Sequence, residues 1–435
     1  MTIALAVFGA DNPSPAPPAP QPPSEAPLTD VVNQALPSWV KLSGEERARY
    51  ENITHVGYAD SDDSYLLLRF RFTMDLTPTT WLRFKFQAQD SRVLGQNTLP
   101  APATQKDALD LRIGYVDFGS ESGLIELRAG RQLLTFGEQR LLGDPDWSNV
   151  GRSFDAARLT LRGSGWGRVD FFTGAYVKIN PVSFSEPVPS QHLDGAYGSL
   201  THIIPLGVVE PYLIWRLEHS FKNEEGVIGN LDERTTGIRI AGKVRAAVDY
   251  SFEFAGQHGS YAGDSITAWA LHGLGGWTVP RMDKKLHVYS EWNAASGDTE
   301  LKDGRHQGFD QLYPAGHDKL GFDDLFAWSN LEHFRTGGDY KIHRRLTLVA
   351  AINEFWLDSA TDGLYNSSGK LIARSATGAA GRYVGSEVDL QGRWLIRPGT
   401  LAQIGYGRLN PGGFLKGTTP GLSYNLVSLS LTQKF

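Results

Sequence analysis

From Trp39 onward apolar and polar residues alternate with a period of two, most cleanly in Leu68-Arg69-Phe70-Arg71-Phe72-Thr73-Met74-Asp75. That period sends successive side chains to opposite faces of a β-strand. After Thr77-Pro78-Thr79-Thr80 it resumes as Leu82-Arg83-Phe84-Lys85-Phe86-Gln87-Ala88-Gln89. The pair predicts a hairpin with one apolar face and one face carrying Arg69, Arg71, Arg83 and Lys85. No amphipathic helical stretch of useful length interrupts the pattern, which yields about 18 strands. Their predicted cores are 39–52, 64–76, 80–90, 109–119, 123–131, 154–163, 168–178, 194–204, 208–218, 233–243, 246–257, 265–277, 284–295, 331–341, 344–356, 382–395, 399–409 and 424–435.

Such persistence argues against two packed sheets and for one closed, all-β, antiparallel transmembrane barrel over residues 37–435. In lipid every backbone polar group must be paired, so a membrane sheet cannot keep an open edge. Connections alternate between short ones, such as 163–167 and 398–400, and long ones, at 91–108, 179–193, 296–330 and 357–381. Short periplasmic turns and long extracellular loops have that rhythm. The last strand alternates Val427, Leu429 and Leu431 with Ser428, Ser430, Thr432 and Lys434, and ends on Phe435. It resembles the C-terminal strand of outer-membrane proteins, so the expected location is the cell outer membrane. A barrel of this size leaves room for water unless loops fill it.

Composition fits strands better than membrane helices: 41% of residues are hydrophobic, 21% are charged, and 48 Gly, 16 Tyr, 21 Phe and 11 Trp suit turns and interfacial girdles. Residues 1–36 read as a signal-peptide remnant, Ile3 to Ala10, followed by a disordered periplasmic tail rich in Pro, Ala and Ser. The absence of cysteine excludes disulfides and thiol chemistry. A net charge of −6, with no Lys/Arg-rich run, excludes nucleic acid as a partner. The 11 histidines show no metal-ligand spacing, and neither a nucleophile elbow nor a phosphate loop occurs, so neither an enzyme nor a cofactor is expected. Asp60, Asp62 and Asp63 crowd a turn that reads as solvated, with weak calcium binding as the alternative.

With apolar side chains facing lipid, the lumen receives Arg47, Arg49, Arg69, Arg71, Arg83, Lys85, Arg112, Arg128, Arg158, Arg162, Arg168, Arg216, Arg239 and Arg393. The acids Asp75, Asp110, Glu126, Asp170, Glu253, Glu291, Glu387 and Asp389 share that face. Arginine reads carboxylates well because its planar fork holds both oxygens and stays charged. The alternative is that these groups pair across strands and brace the wall. Arg69, Arg71, Arg83 and Lys85 favour a pathway, because the sequence places no equal set of acids beside them.

Three separated blocks resemble the alginate-export family of outer-membrane barrels. The first runs Leu127-Arg128-Ala129-Gly130-Arg131-Gln132, then Gly137, Arg140, Leu141, Trp147, Asn149, Gly151, Arg152, Phe154, Asp155 and Ala156. The second is Phe309-Asp310-Gln311-Leu312-Tyr313-Pro314, with His317, Gly321, Asp324, Trp328 and Asn330. The third is Gly385-Ser386-Glu387-Val388-Asp389-Leu390, then Gly405-Tyr406-Gly407, Pro411-Gly412 and Phe414. The resemblance implies an 18-stranded barrel that exports an acidic polysaccharide through a constricted, positively charged lumen, with at least two of Arg128, Arg131 and Arg152 beside the constriction. The long loop holding His317 and Asp324 is read either as a gate folded into the pore or as a surface cap. The implied partners are outer-membrane lipid, an anionic polysaccharide or small anionic solute, and a periplasmic secretion scaffold, with the barrel a monomer. A porin-like uptake channel for small anionic solutes or oligosaccharides would use the same arginines. A hydrolase or adhesin role on the outer loops is the third reading, and it would need a carboxylate pair at glycosidase spacing.

Overall fold

The computed structural model describes residues 28–97, 101–223, 226–244, 247–282, 285–300 and 302–435. Eighteen antiparallel strands build the barrel: β1 Val40–Thr54, β2 Asp63–Thr79, β3 Leu82–Leu94, β4 Asp107–Phe118, β5 Ile125–Gln132, β6 Phe154–Gly163, β7 Gly167–Lys178, β8 Glu186–Thr201, β9 Gly207–Lys222, β10 Ile228–Val244, β11 Val248–Tyr261, β12 Asp264–Thr278, β13 Leu286–Ala295, β14 Leu331–His343, β15 Leu346–Trp356, β16 Tyr383–Arg397, β17 Thr400–Pro411 and β18 Tyr424–Lys434. Each pairs with the next, and β18 returns to β1 with Arg47 opposite Thr432. Closure leaves no edge, as the hydrocarbon layer demands. The seam needs a glycine at Gly44, where a Cβ would stand 2.3 Å from the Phe435 ring. Gly44 and Phe435 also exchange backbone bonds of 2.8 and 3.0 Å there.

The faces follow the sequence. Phe70 and Phe72 are 45% and 38% exposed on the outside, while Arg69 and Arg71 between them are 2% and 6% exposed. A one-residue slip would reverse all four, and each arginine turned to mid-membrane lipid would cost roughly 2–4 kcal/mol. Large apolar side chains cover the outside all round, among them Phe171, Phe252, Trp269, Trp292, Phe334, Trp394 and Leu429. Among the described residues no helix is long and apolar enough to cross a membrane.

Two expectations need correction. The predicted loop 179–193 is shorter, because β8 begins at Glu186. Pro187 and Pro189 hide this start, since proline opposes a central strand. They are tolerated at the rim: residues 186–187 pair with β7, and pairing to β9 begins only at Gln191. The signal remnant and most of the tail, 1–27, lie outside the described residues, but Leu28–Ala35 forms a helix, α1, in place of the expected disorder. Asn33 within it is fixed to Leu42 at the start of β1 by bonds of 2.8 and 2.7 Å.

Candidate functional site

The interior is built from inward strand residues and two long loops, 133–153 after β5 and 296–330 after β13, both folded inward. The loops pair with each other through a parallel bridge, Leu142 to Tyr313, flanked by backbone bonds Gly143 N to Tyr313 O and Ala315 N to Gln139 O, each 2.9 Å. Phe136 anchors the first loop by stacking on Phe172 and Tyr197, with ring centroids 5.2 and 4.7 Å away. Trp147 joins the loops by stacking on His317 at 3.7 Å, nearly parallel. The loop carrying His317 and Asp324 therefore lies inside the barrel, and the surface-cap reading falls.

Arginines crowd the wall of β1 and β2. Arg47 and Arg69 stand directly opposite each other across the two strands. Like charges so placed repel, and the first loop supplies what offsets them. Arg47 donates to the carbonyls of Asp146 at 2.7 Å, Trp147 at 3.2 Å and Ser148 at 3.0 Å. Arg69 reaches the Asp146 carboxylate at 3.1 Å and Glu45 at 2.5 Å, while Arg71 reaches Asp146 at 2.6 Å. Arg49 pairs with Glu51 at 2.6 Å and lies 3.9 Å over the Trp147 ring. Arg112 of β4 takes Asp144 at 2.5 Å. Against the upward pull of burial, Arg69, Arg71 and Arg47 hold the Asp146 carboxyl well below the usual carboxylate range.

The expectation that Arg69, Arg71, Arg83 and Lys85 lack equal acids is thus overturned. Arg83 pairs with Asp117 at 3.2 Å, Glu121 at 2.7 Å and Glu126 at 3.3 Å, and Lys85 with Asp75 at 3.0 Å. Asp75 stands across the same hairpin, Asp117 and Glu126 on the next strands and Glu121 in the turn between them, while Asp146 comes from an infolded loop distant in sequence. Beside this group Arg128 holds Asp117 at 2.6 Å, and Arg158, its direct cross-strand partner, lies 3.8 Å from Asp170. Arg152 donates to the Pro314 carbonyl at 2.9 Å, where the loops meet. Arg131 departs from its neighbours: it faces Asp155 across β5 and β6 at 2.8 Å, on the strand parity opposite to buried Gln132 and Phe154.

The opposite wall, β9 to β16, is organised differently. Arg239 bridges Glu210 at 2.6 Å and Glu138 of the first loop at 2.8 Å. Arg140 holds Glu291 at 2.6 Å, and Arg335 closes on the same carboxylate. A chain of hydrogen bonds then crosses five strands, and each link fixes the next. The Asn353 amide nitrogen donates to Asp389 at 2.7 Å, leaving its oxygen to accept from His333 Nε2 at 3.0 Å. His333 Nδ1 accepts from the Asn293 amide at 2.9 Å, and the Asn293 oxygen accepts from His272 Nδ1 at 2.8 Å. All these groups are buried. Glu387 and Asp389 end the chain by accepting backbone N–H groups of Asp323 and Phe322 in the second loop, at 3.1 and 3.2 Å. Arg393 is 3.5 Å from Asp318 of that loop.

Sequence reading did not single out Glu45, Asp117, Glu138, Asp144, Asp146, Asn293, Asn353 or Arg335. Most of the strand members stand at inward parity, the signal that was available; Asp117 is turned inward by a register shift in β4, which breaks its parity with Asp110 and Arg112. Among the acids of the crowded turn, Asp62 accepts the His55 N–H and Asp63 the Asn97 N–H, and no metal-holding group of three or more His, Asp or Glu occurs among the described residues.

The alginate export family matches residues 38–427. No curated protein matches the chain. Solved structures share the fold at low identity. The outer membrane protein OprD from Pseudomonas aeruginosa aligns at TM-score 0.61 and 10% identity, over 91% of this chain and 94% of its own. Pseudomonas aeruginosa OpdK with vanillate aligns at 0.60 and 12%, over 91% and 98%, and Pseudomonas aeruginosa OpdO at 0.60 and 12%, over 93% and 99%.

Proposed function

This chain belongs to the alginate export family, and on that premise we propose that it passes an anionic, alginate-like polysaccharide outward along the arginine-bearing wall of its barrel. It is an outer-membrane channel and not an enzyme. The observation that carries the substrate reading is the patch of Arg47, Arg49, Arg69 and Arg71, which gathers around a carboxylate supplied by a loop. Such a patch offers several guanidinium forks to successive carboxylates of a polymer, and the acids interleaved with it keep any one contact weak enough to release. Arg83, Lys85, Arg112, Arg128 and Arg158 extend the path. Arg152, Arg239, Arg393, Glu387 and Asp389 set the loops that narrow it, and Arg131 braces the wall. Low-dielectric walls focus the field of the arginines, so local potential and the overall charge of −6 can differ in sign. The apolar side chains around the outside face outer-membrane lipid; on the family reading the barrel works as a monomer fed by a periplasmic scaffold.

Planar-bilayer conductance tests this reading. Anion preference is expected at low salt, where the Debye length is about 30 Å, together with block by oligouronates. Cation preference, or indifference to oligouronates, would overturn it. A second reading is porin-like uptake of small anionic solutes or oligosaccharides; the similarly folded OpdK holds vanillate, a small anion, and this reading would give anion preference without any advantage for longer oligomers.

A further inference from the structure

We infer that the loop segment Asp144–Ser148 is an internal ligand: it occupies the site where carboxylates of an anionic chain bind, and the chain opens the barrel by replacing it on the arginines. This rests on the polyanion-channel reading above.

The segment is bound as an acidic polymer would be. Asp144 meets Arg112, the Asp146 carboxylate meets Arg69 and Arg71, and the carbonyls of residues 146–148 accept from Arg47, Arg49 and Arg69. The Asp146 N–H donates to the Asp144 carbonyl at 2.8 Å, a tight turn that brings two carboxylates two residues apart onto the same arginine wall. Trp147 adds a flat surface between the Arg49 guanidinium and the His317 ring.

The contact is also suited to exchange. The Asp146 side chain is 57% exposed, whereas that of Arg69 beneath it is 1% exposed. The anion faces water and the cations stay in the wall, so replacement requires only the loop to move. Carbonyl oxygens are weaker partners for guanidinium than carboxylates, which accept two parallel bonds. An incoming uronate therefore improves contacts that the loop fills with carbonyls at Arg47 and Arg49. Until it arrives, the loop keeps the directly opposed Arg47 and Arg69 neutralised. The cost of displacing the loop lowers the polymer's apparent affinity by the fraction of barrels already open.

The test uses the full chain in bilayers with guluronate or mannuronate oligomers, and neutral maltooligosaccharides as the contrast. D144N/D146N keeps the shape of the segment and removes its charge. It should raise resting conductance and lower the half-effective oligouronate concentration about tenfold, with no change for the neutral sugars. A folded D144N/D146N channel with unchanged conductance and unchanged half-effective concentration, beside a wild type that responds to oligouronates, overturns this inference and leaves the channel reading standing. A wild type that conducts but ignores oligouronates overturns the channel reading and this site with it. Because the chain has no cysteine, S148C gives a second, independent readout. Its thiol-labelling rate should rise with oligouronate over the same concentration range, and a flat rate refutes displacement even where D144N/D146N does not fold.

Discussion

The two walls of the barrel hold charge in contrasting ways. On β1 and β2 Arg47, Arg49, Arg69 and Arg71 have two strand acids beside them, Glu45 and Glu51, and a loop carboxylate, more than half exposed, completes the set. On β12 to β16 the polar groups complete one another: His272, Asn293, His333 and Asn353 are each fully buried, and each bond dictates the orientation of the next. The first arrangement can accept another anion in place of its own. The second offers no such exchange from His272 to Asn353, and any change there leaves a buried group unpaired. Inward polarity alone therefore does not mark a transport path; what distinguishes one is a partner that can leave.

The contrast breaks most visibly in stability. Asn353→Leu removes the middle of the hydrogen-bond chain and leaves both His333 Nε2–H and Asp389 without it. Each orphaned buried group costs about 1–3 kcal/mol, so the barrel should lose roughly 2–5 kcal/mol in reversible urea unfolding into lipid. Ion preference should stay as in the wild type. A variant with wild-type stability would mean that the chain across β12 to β16 is not a brace.

Replacing Arg69, Arg71, Arg83 and Lys85 with Gln probes the other wall, and its distinguishing readout is ion preference. The anion preference should fall several-fold at low salt, most strongly where the Debye length is about 30 Å. Stability should fall as well, because Arg69 is 1% exposed and the buried Asp117 and Glu126 lose the charge of Arg83, while Asp146, 57% exposed, can resolvate; ion preference is therefore read in the folded channel. If the fourfold variant keeps its ion preference, the electropositive wall does not select the solute, and a general porin becomes the better description.

How far the sequence revealed these walls depends on what each residue's position rests on. Period-two alternation placed Arg69, Arg71, Arg83 and Lys85 inside because the face of a strand is a local property. Their partners were hidden because pairing is not local: Asp146 lies 77 residues from Arg69, in a loop with no period to read. The belt was hidden for another reason. His272, Asn293, His333 and Asn353 each sit at inward parity, but their alignment at one level is set by strand register, which turn lengths decide. The family-like blocks did carry part of this. Trp147 and Asn149 lie in the first infolded loop, and Asn149 donates to the carbonyls of Leu68, Arg92 and Gln105. Gly151, with φ +87, would bring a Cβ to 3.2 Å from Arg112 Nε, so a side chain there would be strained and would crowd that guanidinium.

The smallest expected effect is a pH dependence that separates the two loops. Burial, and then the nearby Glu51 charge, raise the Asp324 carboxyl in the second loop from its ordinary 3.8 to about 7, against the pull of Arg49. An acid whose value is higher in the docked state than in the released one favours docking while protonated. That contribution is complete below about pH 4, is lost as pH rises toward 7, and changes no further above it. Asp146 in the first loop is shifted the other way by its arginines and stays ionised across the same range. Hydrogen exchange of the amides around Gly321 to Leu325 should therefore quicken between pH 5 and 7, beyond the intrinsic base-catalysed increase, while those around Trp147 follow only the intrinsic rate. Asp324→Asn should flatten the first profile and leave the second alone. Equal pH slopes in the two loops, or an unchanged slope in Asp324→Asn, would show that the loops respond as one body and that Asp324 is not what distinguishes them.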